Sequence, residues 1–551
     1  MLSLLEKGCD MRENSALAQK AQRKATSSQK VPLTIMVAML LTSATLHARP
    51  SLADQIDVAS LPLVGRVDGR FQSYNIEMAQ VTGGQFWKPY RPEFTGAIKV
   101  RETSPFEYRA PIDLSNPRLR KLSQALGPFY LRVSGTWANT VYFPDEQNDY
   151  VSSPPPGFKS VLHRSQWRGV IEFARAIDAK IVTSFAIGDG VRDKSGVWTT
   201  DQAERWAKYT HSLGGKIAAA EFMNEPSMAG IGGAPAGYTA ADYGRDFRIF
   251  DKFARLNLPE MKILGPGSAS ETPTSWGMPH VPGSLPTASL LATMGDGIDA
   301  FSYHHYGAAS MRCAAMKMPQ TSAADALSEE WLSRTSLTRA FYEELRDRYE
   351  GGKPLWMTEG ADAACGGNPW GGTFLDSFRY LDQLGRLAKE GVHVSIHNTL
   401  AAGSYGLLNQ DDLTPKANYW SALLWHRLMG PTVLDAGNPL TSGIHLYAHC
   451  LPNRAGGVTM LAINNGASAK QIRISKQSLR YTLSSPGPKS NSVKLNGRLL
   501  RLGANDTLPD LSGSAQLAGD VTLLPETITF LAIPGAGNAA CNEISANPTL
   551  H

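Results

Sequence analysis

The chain has 551 residues, 42% of them hydrophobic and 9% aromatic, with 54 Lys+Arg against 49 Asp+Glu. That length exceeds one ordinary core and predicts two domains, and the composition excludes a low-complexity or repeat-array protein. Seven of the basic and three of the acidic residues lie in 1–53, so the net charge of +5 falls to +1 without that stretch; bulk charge gives no support for a polyanion binder, and no nucleic-acid partner is expected.

Residues 1–30 are polar and basic, VPLTIMVAMLLTSATLHA (31–48) is uncharged, and small residues follow, with cleavage expected after Ala48 or Ala53. This layout predicts a secretory signal over 1–53 and a secreted or periplasmic mature chain with no stable membrane span. The basic region is long, so Met11 or a later start is the alternative beginning. A retained anchor is the competing reading, since the apolar run is just long enough to span but carries Thr, Ser and His.

Residues 54–69 read as a strand segment joining a later β-domain. From 70 to 430, short apolar runs alternate with amphipathic stretches. Eight runs read as strands: 70–78, 129–135, 181–188, 218–224, 261–267, 298–306, 354–360 and 392–400. Helical stretches fall at 114–126, 164–179, 201–213, 238–256, 325–350, 373–390 and 418–429. In RSQWRGVIEFARAIDA, Trp167, Val170, Ile171, Phe173 and Ala174 share one helical face. Strands apolar on both faces, alternating with helices, predict an α/β fold: a (β/α)8 TIM barrel over 70–430. After Gly430, runs such as GIHLYAHC, GVTMLAINN and ETITFLAIP are separated by Gly, Asn, Ser and Pro turns, which predicts a β-sandwich over 431–551.

Cys9 lies in the leader, leaving Cys313, Cys365, Cys450 and Cys541. Four cysteines allow three pairings. Cys450–Cys541 is the favoured disulfide because it would tie down the end of the C-terminal region; free thiols are the alternative. Cys313 and Cys365 are a second candidate pair at one rim of the cleft. No CxxC or zinc pattern occurs, so neither a metal nor an organic cofactor is expected.

Barrel enzymes place their chemistry at the C-terminal ends of strands. Glu225 follows the fourth predicted strand in AAAEFMNEPSMAG, and Glu359 follows the seventh in PLWMTEGAD. Two carboxylates converging there suit glycoside hydrolysis, one as acid and one as nucleophile, roughly 5–5.5 Å apart in a retaining enzyme. Asn224 is placed to bond a sugar 2-hydroxyl. Glu221, within the same strand, is the contrasting case: a buried acid that needs a barrel arginine, with Arg132 the candidate. His304 and His305 are neighbours on one strand and face opposite sides, so they do not read as one metal site. Trp356 reads as core packing.

The NEP and TEG motifs are similar to the acid and nucleophile of glycoside hydrolase clan A. PIDLSNPRLRKLSQALGPFYLRVSGTWAN (111–139), FSYHHYG (301–307), GSYGLLNQDDLTPKANYWSALLWHRLMG (403–430) and SVKLNGRLLRLGANDTLPDL (492–511) resemble heparanase and its relatives in glycoside hydrolase family 79, from about residue 60 to Cys541. The resemblance implies a retaining endo-β-glucuronidase acting on heparan sulfate or heparin, with Glu225 as acid/base and Glu359 as nucleophile. It implies that Tyr306 bonds the nucleophile, that Glu77 and Thr136 hold sugar hydroxyls, and that Gly366, Gly403 and Tyr405 clamp the glucuronate carboxylate. The stretch between Asn139 and the helix at 164 is short, which implies a bacterial-type monomer needing no internal cut. An exo-acting β-glucuronidase and a non-catalytic polysaccharide-binding barrel are the competing readings.

Overall fold

Eight parallel strands close into a barrel: β1 (Gln72–Glu77), β2 (Phe129–Ser134), β3 (Ala179–Ser184), β4 (Ile217–Glu221), β5 (Lys262–Ala269), β6 (Ala300–Tyr306), β7 (Leu355–Ala361) and β8 (Val392–Asn398). They pair in sequence order, and β8 returns to β1. The computed structural model describes residues 55–90, 104–145, 151–269, 271–272, 282–437 and 443–542; the expected leader lies outside them. Among the described residues, no helix is long and apolar enough to cross a membrane.

Each predicted strand run overlaps one barrel strand, with ends that differ by a few residues. Helices follow where the 3.6-residue pattern placed them; Arg164–Ala176 buries Trp167, Val170, Ile171, Phe173 and Ala174 against the sheet. Among the described helices of eight residues or more, Thr287–Met294 before β6 alone falls outside the expected stretches; the shorter Met78–Thr82 and Ala229–Gly232 do so as well. The eight residues of Thr287–Met294 hold no charge that would mark an outer face, so the periodicity signal is absent.

The barrel interior is layered. Tyr130, Val182, Ala219, Leu264, Ala300, Trp356, Val394 and Ile396 form an apolar plug, one or two from each of seven strands. One pleat further along lie Arg132 on β2, Glu221 on β4 and Asn398 on β8, all buried. Side chains of one face recur every second residue, so the polar layer sits directly on the plug, towards the C-terminal mouth. β7 departs from this rule. Its register against β6 jumps between Tyr303–Met357 and His304–Glu359, leaving Thr358 as an extra residue. The bulge lets consecutive Thr358 and Glu359 both reach interior partners.

Beyond the barrel, a nine-stranded sheet runs through Leu63–Arg66, Thr432–Leu434, Ile444–Cys450, Val458–Asn464, Thr527–Ile533 and Ser478–Ser484 to short edge strands. A three-stranded sheet, Gln55–Ile56, Lys470–Ile474 and Gly519–Leu523, covers one of its faces. Residues alternate between the two sides: Leu446, Ala448, Met460 and Leu531 enter the sandwich core, while Tyr447, Leu461, Ile463 and Phe530 join the barrel's core. Segment 54–69 thus lends one strand to each sheet. Cys450 is bonded to Cys541 across the sandwich end, and Cys313 to Cys365 at the barrel mouth.

Candidate active site

Glu225 stands just past β4 in a left-handed conformation (φ 50°, ψ 60°), immediately before Pro226. A non-glycine residue holds such a conformation only when its surroundings enforce it. Here Asn139 supplies the restraint. Its carboxamide accepts from Asn224 N and donates to Asn224 O, both at 2.9 Å. Asn139 lies at the end of the 111–139 stretch, where its sequence neighbours give no sign of this restraint.

One oxygen each of Glu225 and Glu359, with one ring nitrogen of His304, lie within 4.8 Å of one another. The two carboxylates therefore face each other across the mouth. Their surroundings differ. Glu359 is nearly closed to water and accepts from Arg132 Nη1 at 2.6 Å through Oε2 and from Tyr306 Oη at 2.6 Å through Oε1. Glu225 is the more open, with 18% of its side chain exposed, and its Oε1 lies 3.0 Å from His304 Nδ1. Burial alone would raise the Glu359 pKa; the charges of His304 and Arg132 and the Tyr306 hydroxyl reverse this and hold the carboxyl below its usual range.

Arg132 is the hub. Its Nη2 donates to Glu221 Oε2 and to Asn224 Oδ1, each at 2.8 Å. Glu221 also accepts from Thr358 Oγ1 at 2.6 Å and is held far below the ordinary carboxylate range, the Arg132 charge overcoming the cost of burial. Burial and the Arg132 charge push His304 down, but Glu359, Glu221 and Glu225 prevail and raise it to about 9. His305 points the other way, to Thr338 Oγ1 at 2.9 Å, and burial lowers it to about 3. The opposite-faces reading of this pair holds in the structure.

A second hub, Asn398, was missed in the sequence because it ends a strand with no neighbouring motif. Its Nδ2 lies 2.9 Å from Tyr306 Oη, 3.0 Å from Glu77 Oε1 and 3.2 Å from Tyr405 Oη. Burial first, then the Glu359 charge, raises Glu77 well above the usual carboxyl range; its buried Oε2 has no partner among the described residues. Thr136 follows Gly135 beside it and is partly exposed. Gly366 and Gly403 both adopt positive φ. A Cβ on Gly366 would meet Trp87 Cγ at 2.6 Å, and one on Gly403 would meet Tyr405 Cε2 at 2.8 Å, so only glycine fits where these loops touch aromatic rings. Ser404 N bonds Gly366 O at 2.9 Å and ties the two loops together.

The structure thus brings Glu225, Glu359, Asn224, Tyr306, Glu77 and Tyr405 into one hydrogen-bonded network, with Gly366 and Gly403 on the adjoining loops; Cys450 ends a strand of the outer sheet and Cys541 the short turn Ala539–Cys541. The spacing of Glu225, His304 and Glu359 could accept a cation, but both Glu359 oxygens and the near Glu225 oxygen already have protein partners.

No family model matches the sequence. Over 491 residues the chain is 28% identical to heparanase-like protein 1 of Arabidopsis thaliana, covering 78% of this chain and 86% of that protein. It is 27% identical to hyaluronoglucuronidase of Hirudo nipponia, covering 78% and 92%, and 27% identical to heparanase of Mus musculus, covering 78% and 88%. Among solved structures, a 4-O-alpha-L-rhamnosyl-beta-D-glucuronidase from Fusarium oxysporum superposes with a TM-score of 0.60 at 13% identity, over 87% of this chain and all of that one; this likeness concerns the fold. A barrel with two facing carboxylates at its mouth, in a sequence with these relatives, makes the chain a glycoside hydrolase related to the heparanases.

Proposed function

We propose that the chain is a retaining endo-β-D-glucuronidase of heparanase type, cutting glucuronate linkages inside heparan sulfate-type glycosaminoglycans. The observation that carries the reading is the pair itself: Glu225 and Glu359 oxygens within 4.8 Å, a spacing suited to a covalent intermediate rather than an interposed water. Its asymmetry assigns the roles. Glu359, kept ionised by His304 and Arg132, attacks the anomeric carbon. Glu225, the more open of the two to solvent, gives its proton to the glycosidic oxygen as that bond breaks. Glu225 then takes a proton from water, the water oxygen attacks the anomeric carbon, and the Glu359 ester is released with net retention.

The remaining residues hold the sugar. Asn224 has its carboxamide oxygen on Arg132, which leaves its NH2 for the 2-hydroxyl. Glu77 and Thr136 take other hydroxyls. The Gly366 amide and the Tyr405 phenol receive the uronate carboxylate, joined by the Gly403 amide when it leaves Gln410 Oε1, to which it donates at 3.3 Å; backbone N–H groups bind such an anion without a contacting cation. Two disulfides fit a secreted or periplasmic setting.

The test is hydrolysis of an aryl β-glucuronide, heparan sulfate and hyaluronan, with the first-formed anomer read by NMR and polymer products sized. β-Glucuronate as first product and heparan fragments several sugars long are expected, with E225Q and E359Q inactive. An α anomer would remove the retaining mechanism. Free glucuronate alone would leave an exo enzyme, and full activity in both glutamine variants would end the assignment.

A further inference from the structure

Behind the two loops assigned to the carboxylate stand two cations that the mechanism does not use. Arg312, on the turn Met311–Met316 after β6, donates from Nη1 to Gly367 O at 2.8 Å and Cys365 O at 3.3 Å, and from Nη2 to Lys88 O and to Ser404 Oγ at 3.2 Å. Its guanidinium lies 3.8 Å from the centre of the Tyr90 ring. Lys416, just ahead of the helix Ala417–Leu428, donates from Nζ to Ser404 O at 2.9 Å and Gly403 O at 3.2 Å. Part of each residue stays exposed, but burial of the ammonium end pulls Lys416 down to about 8. Among the described residues neither head forms an ion pair with a carboxylate; Asp362, Asp376 and Asp411 act on Lys416, and Asp362 on Arg312, only at longer range.

Peptide planarity makes these contacts directional. In a trans peptide the C=O and the following N–H point opposite ways. Arg312 holds the carbonyl of Cys365, so the Gly366 N–H points away from it. Lys416 holds the Gly403 carbonyl; the Ser404 N–H of that peptide bonds Gly366 O, whose own peptide ends in the Gly367 N–H. Each route runs from a cation through aligned peptide dipoles to a glycine N–H, an arrangement that polarises the donors. Among the described residues neither the Gly366 nor the Gly367 N–H has an acceptor, whereas the Gly403 N–H bonds Gln410 Oε1 at 3.3 Å; Gly366 and Gly367 are the donors that the two cations align.

We propose that Arg312 and Lys416 are positioning residues that set the preference for a uronate over a neutral sugar, by fixing the glycine donors and placing unpaired positive charge behind them. This rests on the assignment of these loops to the substrate carboxylate. A neutral sugar, with a hydroxymethyl group in place of that carboxylate, gains little from the field; a uronate gains at binding, before chemistry.

The experiment compares 4-nitrophenyl β-glucuronide with 4-nitrophenyl β-glucoside on the wild-type protein and on R312M, R312K, K416M and K416R, with thermal melts as a folding check. The methionine variants should lower the glucuronide/glucoside ratio of kcat/KM about tenfold, a difference of about 1.4 kcal/mol, through KM rather than kcat. K416R and R312K should recover part of it. A wild-type protein with no glucuronide preference sinks the carboxylate assignment itself. A wild-type preference that survives in both methionine variants, or equal losses on both substrates, sinks the role of the cations alone. Should R312M fail to fold, K416M with its arginine rescue decides.

Discussion

Arg132 donates from Nη1 to Glu359 Oε2 at 2.6 Å, with the arginine side chain wholly buried and only 7% of the glutamate exposed. The same guanidinium holds Glu221 at 2.8 Å, so one planar fork spans two carboxylates. A lysine cannot reproduce that geometry. R132K should keep a charge but lose one arm, and Glu359 should bind its proton more readily. Because Arg132 and His304 hold the Glu359 pKa down, weakening the contact moves it up. The acidic limb of the pH profile of kcat/KM should therefore shift to higher pH, with the maximum falling about 10²–10³-fold. An unmoved acidic limb would show that Arg132 does not keep the nucleophile ionised.

Gly135 follows β2 at φ +94°, and a Cβ there would lie 1.7 Å from Glu77 Oε2. That carboxyl cannot retreat freely, since its Oε1 is held by Asn398 and its backbone N–H by Gln80 Oε1. G135A should displace Glu77 and Thr136 together and raise KM for an aryl β-glucuronide about tenfold or more, in line with losing a hydrogen bond to a charged or strongly polar group. Steady-state kinetics with a melting curve separates this from global unfolding; an unchanged KM in a folded variant would remove Glu77 from the sugar site.

The strand ends are legible because short runs apolar on both faces alternate so regularly with stretches of 3.6-residue periodicity between 70 and 430, and both glutamates stand beside proline or glycine at such ends. Glu221 was rightly separated from Glu225, and its pairing with Arg132 follows from the cost of an unpaired buried charge. The hubs were harder to see. Strict alternation around Trp356 would send Glu359 outward; only the bulge at Thr358 brings it in, and a one-residue register shift leaves no mark in the sequence. Asn398, Asn139, Arg312 and Lys416 act across 85 to over 300 residues of chain or from unpatterned loops, so no local spacing announces them.

The Cys450–Cys541 bridge closes a loop of 91 residues far from the carboxylates. On the chain-entropy account such a loop contributes about 4–5 kcal/mol as an upper figure. C541S should lower the melting temperature by several degrees while kcat on an aryl β-glucuronide at moderate temperature is retained. C365S should behave differently, because the Cys365 carbonyl is an Arg312 acceptor next to Gly366; KM should rise as well. Equal kinetic effects of the two cysteine variants would contradict this division of labour.

The barrel meets the nine-stranded sheet through Asp382 on the helix Phe374–Lys389 and His445 on the strand Ile444–Cys450. Asp382 also accepts from Tyr447 Oη at 2.5 Å and Arg386 Nε at 2.6 Å, and His445 Nε2 lies 2.7 Å from Glu329 Oε2. Burial and Arg386 disfavour the imidazolium, but Asp382 and Glu329 outweigh them and raise the His445 pKa. Asp382, conversely, is lowered, His445 and Arg386 overcoming burial. A raised histidine stabilises fully below its unfolded value of about 6.5 and loses that contribution as pH climbs through the raised folded value. A lowered aspartate stabilises above its unfolded value of about 3.9 and loses it as pH falls through the depressed one. Both contributions coexist between those two unfolded values, so the interface should be firmest near pH 5. D382N should cost about 3–5 kcal/mol, as expected when one partner of a buried pair is removed. H445Q should depress the melting temperature strongly at pH 5.5 and progressively less towards pH 9, as the pH climbs through the raised folded value of the wild-type imidazole. A gap between wild type and H445Q that stays constant across that range would mean the pair contributes by packing and not by charge.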